Sequence, residues 1–237
     1  MYNNSLLQLS LRLVSLHIIK SISEEEHIEK ISSRLAQFIN HTVKEKDYAV
    51  LAVSGGKSPI PLFKHLSKAS LPWDKITIVL VDERVVDANS DDSNENLVKT
   101  YLLQNMAKSA KFIALMNKDI TNILTQANST IKEIDIAILG MGADGHTASI
   151  FPDCNELDSA LDLNNPNTYI ITNPLSAKYQ RVSLTLRALI NTPNLIITIN
   201  GAEKLDIIEE AFQKNNKNYP ISYLINQRSD INIYWQK

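Results

Sequence analysis

An α/β fold, with a mainly parallel sheet covered by helices on both faces, follows from three features of this 237-residue sequence. Short continuous apolar runs, the form of strands buried on both sides, alternate with amphipathic stretches of helical period. All six glycines fall in three clusters, each directly after such a run. The composition, 44% hydrophobic and 21% charged, is that of a globular chain with a sizeable core.

A first strand is expected at residues 13–19, after a loose extension at residues 1–12. Ser23 and Glu26 form a capping box that opens an amphipathic helix to about residue 40. Residues 48–53 are a continuous apolar strand, and Pro59 suits the first turn of a helix reaching about residue 68. A strand at 75–81 is followed by a helix capped by Ser93 and running to about residue 104. A weaker helix near 120–127 precedes residues 134–139, the clearest buried strand. Further strands are expected at 169–171, 181–184, 195–200 and 231–235, with a helix at 203–214. No linker rich in Pro, Gly or Ser interrupts the chain, so one domain over residues 1–237 is expected.

Several functional classes are disfavoured. A net charge of −2 argues against a nucleic-acid partner or an anionic membrane surface. The apolar N-terminal stretch is broken by Arg12 and His17, too short to span a bilayer, and followed by no small-residue cleavage site. The single cysteine, Cys154, allows no internal disulfide and suggests a reducing compartment, so a cytoplasmic protein is expected. No strand or base flanks Cys154 as a nucleophile would require, and it is read as a packing residue. No pair of side chains has metal-ligand spacing, and no metal is expected.

The glycine clusters locate the chemistry. They are Ser54-Gly55-Gly56-Lys57, Gly140-Met141-Gly142-Ala143-Asp144-Gly145-His146, and Gly201-Ala202-Glu203-Lys204. Average glycine usage is about 7%, so this glycine-poor chain keeps the residue where positive φ or a close approach demands it. Ligands in parallel sheets bind outside the carboxyl ends of the strands, where all three clusters fall. Each ends in or beside a charged side chain, which suits a small anion.

The run Gly-Met-Gly-Ala-Asp-Gly also matches a dinucleotide-binding pattern. That pattern belongs in a first strand–helix turn, whereas here several elements precede it and Pro152 breaks the helix it should open. Read as chemistry, Asp144 and His146 present an imidazole with a carboxylate beside it. A carboxylate fixes the tautomer and stabilises the cation, which suits general-base work near neutral pH. His17, His27, His41 and His65 have no special neighbours and are read as structural or solvated.

Five segments, VSGGKSP, VDERVV with DDSNEN, ILGMGADGHTASIFPD, QRVSLTL and NGAEK, stand in the order found in 6-phosphogluconolactonases. The chain resembles that family from about residue 13 to residue 235, and the GADGHTAS-F-P block is highly specific. The wider group includes glucosamine-6-phosphate deaminases. The resemblance implies a single-domain Rossmann-like sheet, as in the phosphosugar isomerase/deaminase group. It implies hydrolysis of 6-phospho-D-glucono-1,5-lactone to 6-phosphogluconate, a carboxylic-ester hydrolysis in the oxidative pentose phosphate pathway. It implies no cofactor and a small-molecule phosphosugar lactone as partner; a monomer or weak homo-oligomer is expected. Departures from the usual pattern occur at Val85, at Lys57 and before Arg181, where prolines are absent.

A lactone bearing a phosphate needs backbone donors and cations at one end and a base at the other. Ser54, Gly55, Gly56, Lys57 and Ser58 form the donor loop; by resemblance Lys204 adds an ammonium and Arg181 a guanidinium. His146 is the expected base, with Asp144 orienting it. Arg84 is the candidate for the charge that grows on the carbonyl oxygen, a contribution of roughly 3 kcal/mol. Asp82 is read as a hydroxyl or outer contact. Glu83 stays open between a structural carboxylate and a catalytic pair with Asp82. Asn94 and Ser93 could reach the site, although capping explains Ser93. Deaminases carry an asparagine-glutamate-proline run after the Asp-Gly-His turn and tyrosine in place of Arg84; this chain has Phe151-Pro152-Asp153 and Arg84, which favours the lactonase. A non-catalytic sugar-phosphate sensor would need no Asp144/His146 turn.

Overall fold

The computed structural model describes residues 16–115 and 120–237. The extension expected at 1–12, and residues 13–15 of the first expected strand, lie outside them. In chain order the elements are β1 (His17–Ser21), α1 (Glu24–Lys46), β2 (Ala49–Val53), α2 (Ile60–Leu66), β3 (Ile76–Leu80), β4 (Asp82–Arg84) and α3 (Asn94–Tyr101). They continue with β5 (Lys111–Phe112), α4 (Ile120–Thr130), β6 (Ile136–Leu139), α5 (Leu157–Leu161), β7 (Tyr169–Thr172) and β8 (Arg181–Leu184). Last come α6 (Leu186–Asn191), β9 (Asn194–Asn200), α7 (Ala202–Ala211), α8 (Ile221–Ile225) and β10 (Asn232–Gln236).

Seven strands form a parallel sheet in the order β1-β10-β9-β6-β2-β3-β5. β6 is buried along its whole length, as an apolar run with no alternation requires. The central register pairs Val53 with both Ile138 and Leu80. From β2 the chain passes through α2 to β3 on one side; from β6 it proceeds to β9 on the other. The loops after β2 and β6 therefore diverge, which opens a crevice at the carboxyl ends of the two central strands.

One expectation needs correction. The strands at 169–172 and 181–184 do not join the parallel sheet; with β4 they form a separate antiparallel sheet of order β4-β8-β7. No helix lies between β7 and β8, and only antiparallel neighbours can be joined without a crossover. Val81 bridges the two sheets, donating to the Val53 carbonyl and accepting from Leu184 N. The Tyr169 hydroxyl, fully buried, adds a bond to the Leu80 carbonyl at 2.7 Å.

Helix lengths also differ from expectation. The cap forms with one change: Ser23 accepts from Glu26 N, while the Glu26 carboxylate accepts from Ile22 N, one residue before the cap. α1 then runs to Lys46, because residues 41–46 contain no breaker, and stops at Asp47 with φ 65°. α3 ends at Tyr101 and α7 at Ala211, each earlier than expected. α5, α6 and α8, of five or six residues, are too short to leave a periodic signature. Among the described residues no helix is long and apolar enough to cross a membrane.

Candidate active site

The loop after β2 is tied to β6. The Ser54 hydroxyl donates to the Ile138 carbonyl at 2.9 Å and accepts from Gly140 N at 3.4 Å. Gly56 has φ +86°, which favours glycine. A Cβ on Gly55 would lie 1.8 Å from Asn94 Oδ1, so residue 55 must also be glycine. No described residue accepts a hydrogen bond from the backbone N–H groups of residues 55–58. Four unpaired amides beside a crevice are a ready anion site.

The turn after β6 is folded on itself. Gly142 N donates to the His146 carbonyl, Gly145 N to the Gly142 carbonyl, and the Thr147 hydroxyl to the Gly140 carbonyl. A Cβ on Gly142 would lie 2.3 Å from the His146 ring. His146 Nδ1 lies 2.5 Å from Asp144 Oδ1, and the ring stacks on Phe151 with centroids 3.9 Å apart. Burial would raise the Asp144 pKa, but bonding to His146 and backbone amides outweighs it and holds the carboxyl below its ordinary value. An ionised Asp144 accepts a hydrogen bond from Nδ1–H, which leaves the Nε2 lone pair free to face the cleft. Ala148, two residues on, has φ 51°, and such strain concentrates at functional sites.

Alternation along β4 separates its three charges. Asp82 and Arg84 line the cleft, and Glu83 turns away, fully buried. Glu83 accepts from the backbone N–H groups of Arg84, Asn94 and Glu95 and from the Ser93 hydroxyl. Burial pushes its pKa up, against the pull of these amides. Glu83 is therefore a structural carboxylate that pins the start of α3. Asp82 accepts from the Ser149 hydroxyl at 2.5 Å. Arg84 donates through Nη1 to the Asp92 carbonyl, and its buried Nε has no partner.

A cleft of about 250 Å³ at the crevice brings most expected residues together. Ser54, Gly55, Gly56, Ser58, Asp82, Arg84, His146 and Lys204 line it, with Asn94 and the Gly140 turn. Three expected residues do not. Lys57 is exposed and does not line the cleft. Asp144, in contact with His146 Nδ1, does not line the cleft. Arg181 is half-buried directly opposite Arg84 in the β4–β8 register, without lining the cleft. Its Nε is also unpaired, and its pKa is lowered by burial and then by the Arg84 charge. Lys204 lies in the first turn of α7, after Gly201, whose φ is +87°, and donates to the Met141 carbonyl at 2.5 Å.

One lining residue carried no sign of its place in the sequence. His27, on α1, is buried rather than solvated and bonds Thr198 of β9 through Nε2 at 2.8 Å. Nothing local marks it, since its partner lies 171 residues away.

A parallel α/β sheet whose switch point joins an aspartate-backed imidazole to a loop of unpaired amides has the build of an enzyme for small phosphorylated sugars. Residues 22–235 match the family model for glucosamine-6-phosphate isomerases/6-phosphogluconolactonase, and the chain belongs to that family. It is 37% identical over 210 residues to a 6-phosphogluconolactonase of Neisseria meningitidis, covering 86% of this chain and 91% of that one. A 6-phosphogluconolactonase of Helicobacter pylori is 38% identical over 213 residues, 87% and 92% of the two chains. The crystal structure of a protein from Neisseria gonorrhoeae, described as a putative 6-phosphogluconolactonase, superposes with a TM-score of 0.90 at 34% identity. That match covers 94% of this chain and 100% of the other.

Proposed function

We propose that the protein hydrolyses 6-phospho-D-glucono-1,5-lactone to 6-phosphogluconate, the lactonase step of the oxidative pentose phosphate pathway. The observation that carries this reading is His146, facing the cleft with Asp144 on its Nδ1 side. His146 Nε2 takes a proton from water as the water oxygen bonds to C1. Negative charge moves to the carbonyl oxygen, beside Arg84. Collapse of that intermediate breaks the bond between C1 and the ring oxygen, which takes a proton from the imidazolium and leaves as the C5 hydroxyl. The new carboxylic acid ionises and releases one proton to solvent.

The phosphate is assigned to the unpaired amides of residues 55–58 and to Lys204, with Arg181 supplying charge from behind Arg84. Lys57 contributes long-range potential rather than contact, given its exposure. Asp82, held by Ser149, is positioned to accept a sugar hydroxyl. Every group comes from one chain, so a monomer suffices. One hydrophobic cluster spans both sheets, which supports treating the chain as one domain. The cytoplasm suits both a sugar phosphate and the buried thiol of Cys154. The test is proton release in a pH-stat after mixing the protein with freshly generated lactone. A rate no greater than spontaneous hydrolysis would overturn the assignment.

A further inference from the structure

Asn94 is 1% exposed, yet it lines the cleft. Its Nδ2 donates to the Asp82 carbonyl at 2.7 Å, which fixes the orientation of the carboxamide. Its Oδ1 is buried, and no described residue donates to it. Gly55 faces the carboxamide: a Cβ built there would lie 1.8 Å from Oδ1, 2.0 Å from Cγ and 2.5 Å from Nδ2. The carboxamide thus occupies the space a side chain at residue 55 would need. Native proteins rarely leave a buried acceptor unpaired, and exceptions gather where another requirement overrides satisfaction.

The frame behind Asn94 is rigid. The Glu83 carboxylate collects three backbone amides and one hydroxyl, so the first turn of α3 is locked to the end of β4. Asp82 and Arg84 belong to the same strand end. A contact chain therefore runs from β4 through Asn94 to Gly55, at the start of the loop whose amides are unpaired.

We infer that Asn94 is a positioning residue that props the 54–58 loop and sets the distance between its amides and the charged end of β4. The inference rests on the lactonase reading of the cleft. It makes Gly55 and Asn94 a complementary pair, in which the absence of a side chain on one matches the carboxamide of the other. Asn94 acts on the substrate only through the loop, and so governs how tightly the phosphorylated end is held.

The experiment is a double-mutant cycle with Gly55→Ala, Asn94→Ala and the two combined, read by calorimetric titration with 6-phosphogluconate and by initial rates on the lactone. Gly55→Ala should weaken binding by about tenfold or more in the wild-type background, and by less than about threefold when Asn94 is already alanine. Asn94→Ala should raise KM by about tenfold and lower kcat by less than about threefold, because the anion is held alike in ground and transition states. Thermal melting of each variant separates loss of fold from loss of loop placement. If Gly55→Ala costs the same in both backgrounds, or Asn94→Ala acts on kcat alone, Asn94 serves only α3 and the inference fails. Should Asn94→Ala not fold, Gly55→Ala in Asn94→Ser, which keeps a polar side chain but vacates the space, must show the same relief. A wild type that binds 6-phosphogluconate but does not hydrolyse the lactone would instead sink the functional reading and this inference with it.

Discussion

Asp144 Oδ1 meets His146 twice, at Nδ1 (2.5 Å) and at the backbone N–H (3.2 Å). One carboxylate thereby fixes the ring's tautomer and the turn that carries it. His146→Ala should lower kcat by about 10²–10⁴-fold with the fold intact, the usual contribution of a general base. Asp144→Asn should also be severely impaired, because an amide donor facing Nδ1 moves the proton to Nε2 and removes the base from the cleft. Single-turnover rates and circular dichroism on both variants check this. A His146→Ala enzyme retaining most of its kcat would contradict the mechanism.

Arg84 and Arg181 stand opposite each other, both with an unpaired buried Nε. Like charges directly across a strand pair are unfavourable until an anion joins them. Arg84→Ala should depress kcat more than it raises KM, since Arg84 is assigned to charge that appears in the transition state. Arg181→Gln should instead raise KM and reduce the rise in melting temperature that 6-phosphogluconate gives the wild type. Steady-state kinetics and thermal shift distinguish the two roles; interchanged effects would exchange the assignments.

The parallel sheet and its three glycine loops were legible because each depends on local signals: an apolar run, a turn and a backbone that needs glycine. His146 and Asp144 were legible for the same reason, being two residues apart. Features that depend on partners far along the chain leave no such mark. Glu83 is structural because its carboxylate meets amides 11 and 12 residues on, across a loop. The β7–β8 hairpin left the main sheet because β4 offered an edge about a hundred residues earlier, as the pairing of Arg84 with Arg181 records. Lys57 is adjacent in sequence to Gly56, which lines the cleft, yet its own side chain is exposed and does not. His27 reaches the cleft through a bond from α1 to Thr198 of β9, a partner far along the chain.

Lys204 bonds to the Met141 carbonyl, which holds its ammonium at the cleft. Each charge-assisted contact contributes roughly 1.5–3 kcal/mol, so Lys204→Ala should weaken 6-phosphogluconate binding by about ten- to a hundredfold. Gluconate, which lacks the phosphate, should bind wild type and variant equally poorly. Calorimetric titration with both ligands measures the difference. Equal affinity of the wild type for gluconate and its phosphate would displace the anion site from these loops.

His27 links the cleft to stability. Burial, and then the charge of Lys30, lower its pKa from the ordinary value of 6.5. The unfolded chain therefore takes up this proton first as pH falls below 6.5, while the folded chain resists it. Stability contributed by neutral His27 is present above 6.5, declines as pH falls below it, and levels off under the folded-state pKa. One proton limits the slope to about 1.4 kcal/mol per pH unit. His27→Gln keeps a polar partner for Thr198 and removes the titration, so its stability should fall less steeply on acidification than that of the wild type. Urea denaturation of both proteins on either side of that pH gives the comparison, and contributions from Asp144 and Glu83, common to both, cancel in the difference. Parallel profiles would mean that His27 takes up its proton as readily in the folded cleft as in the unfolded chain.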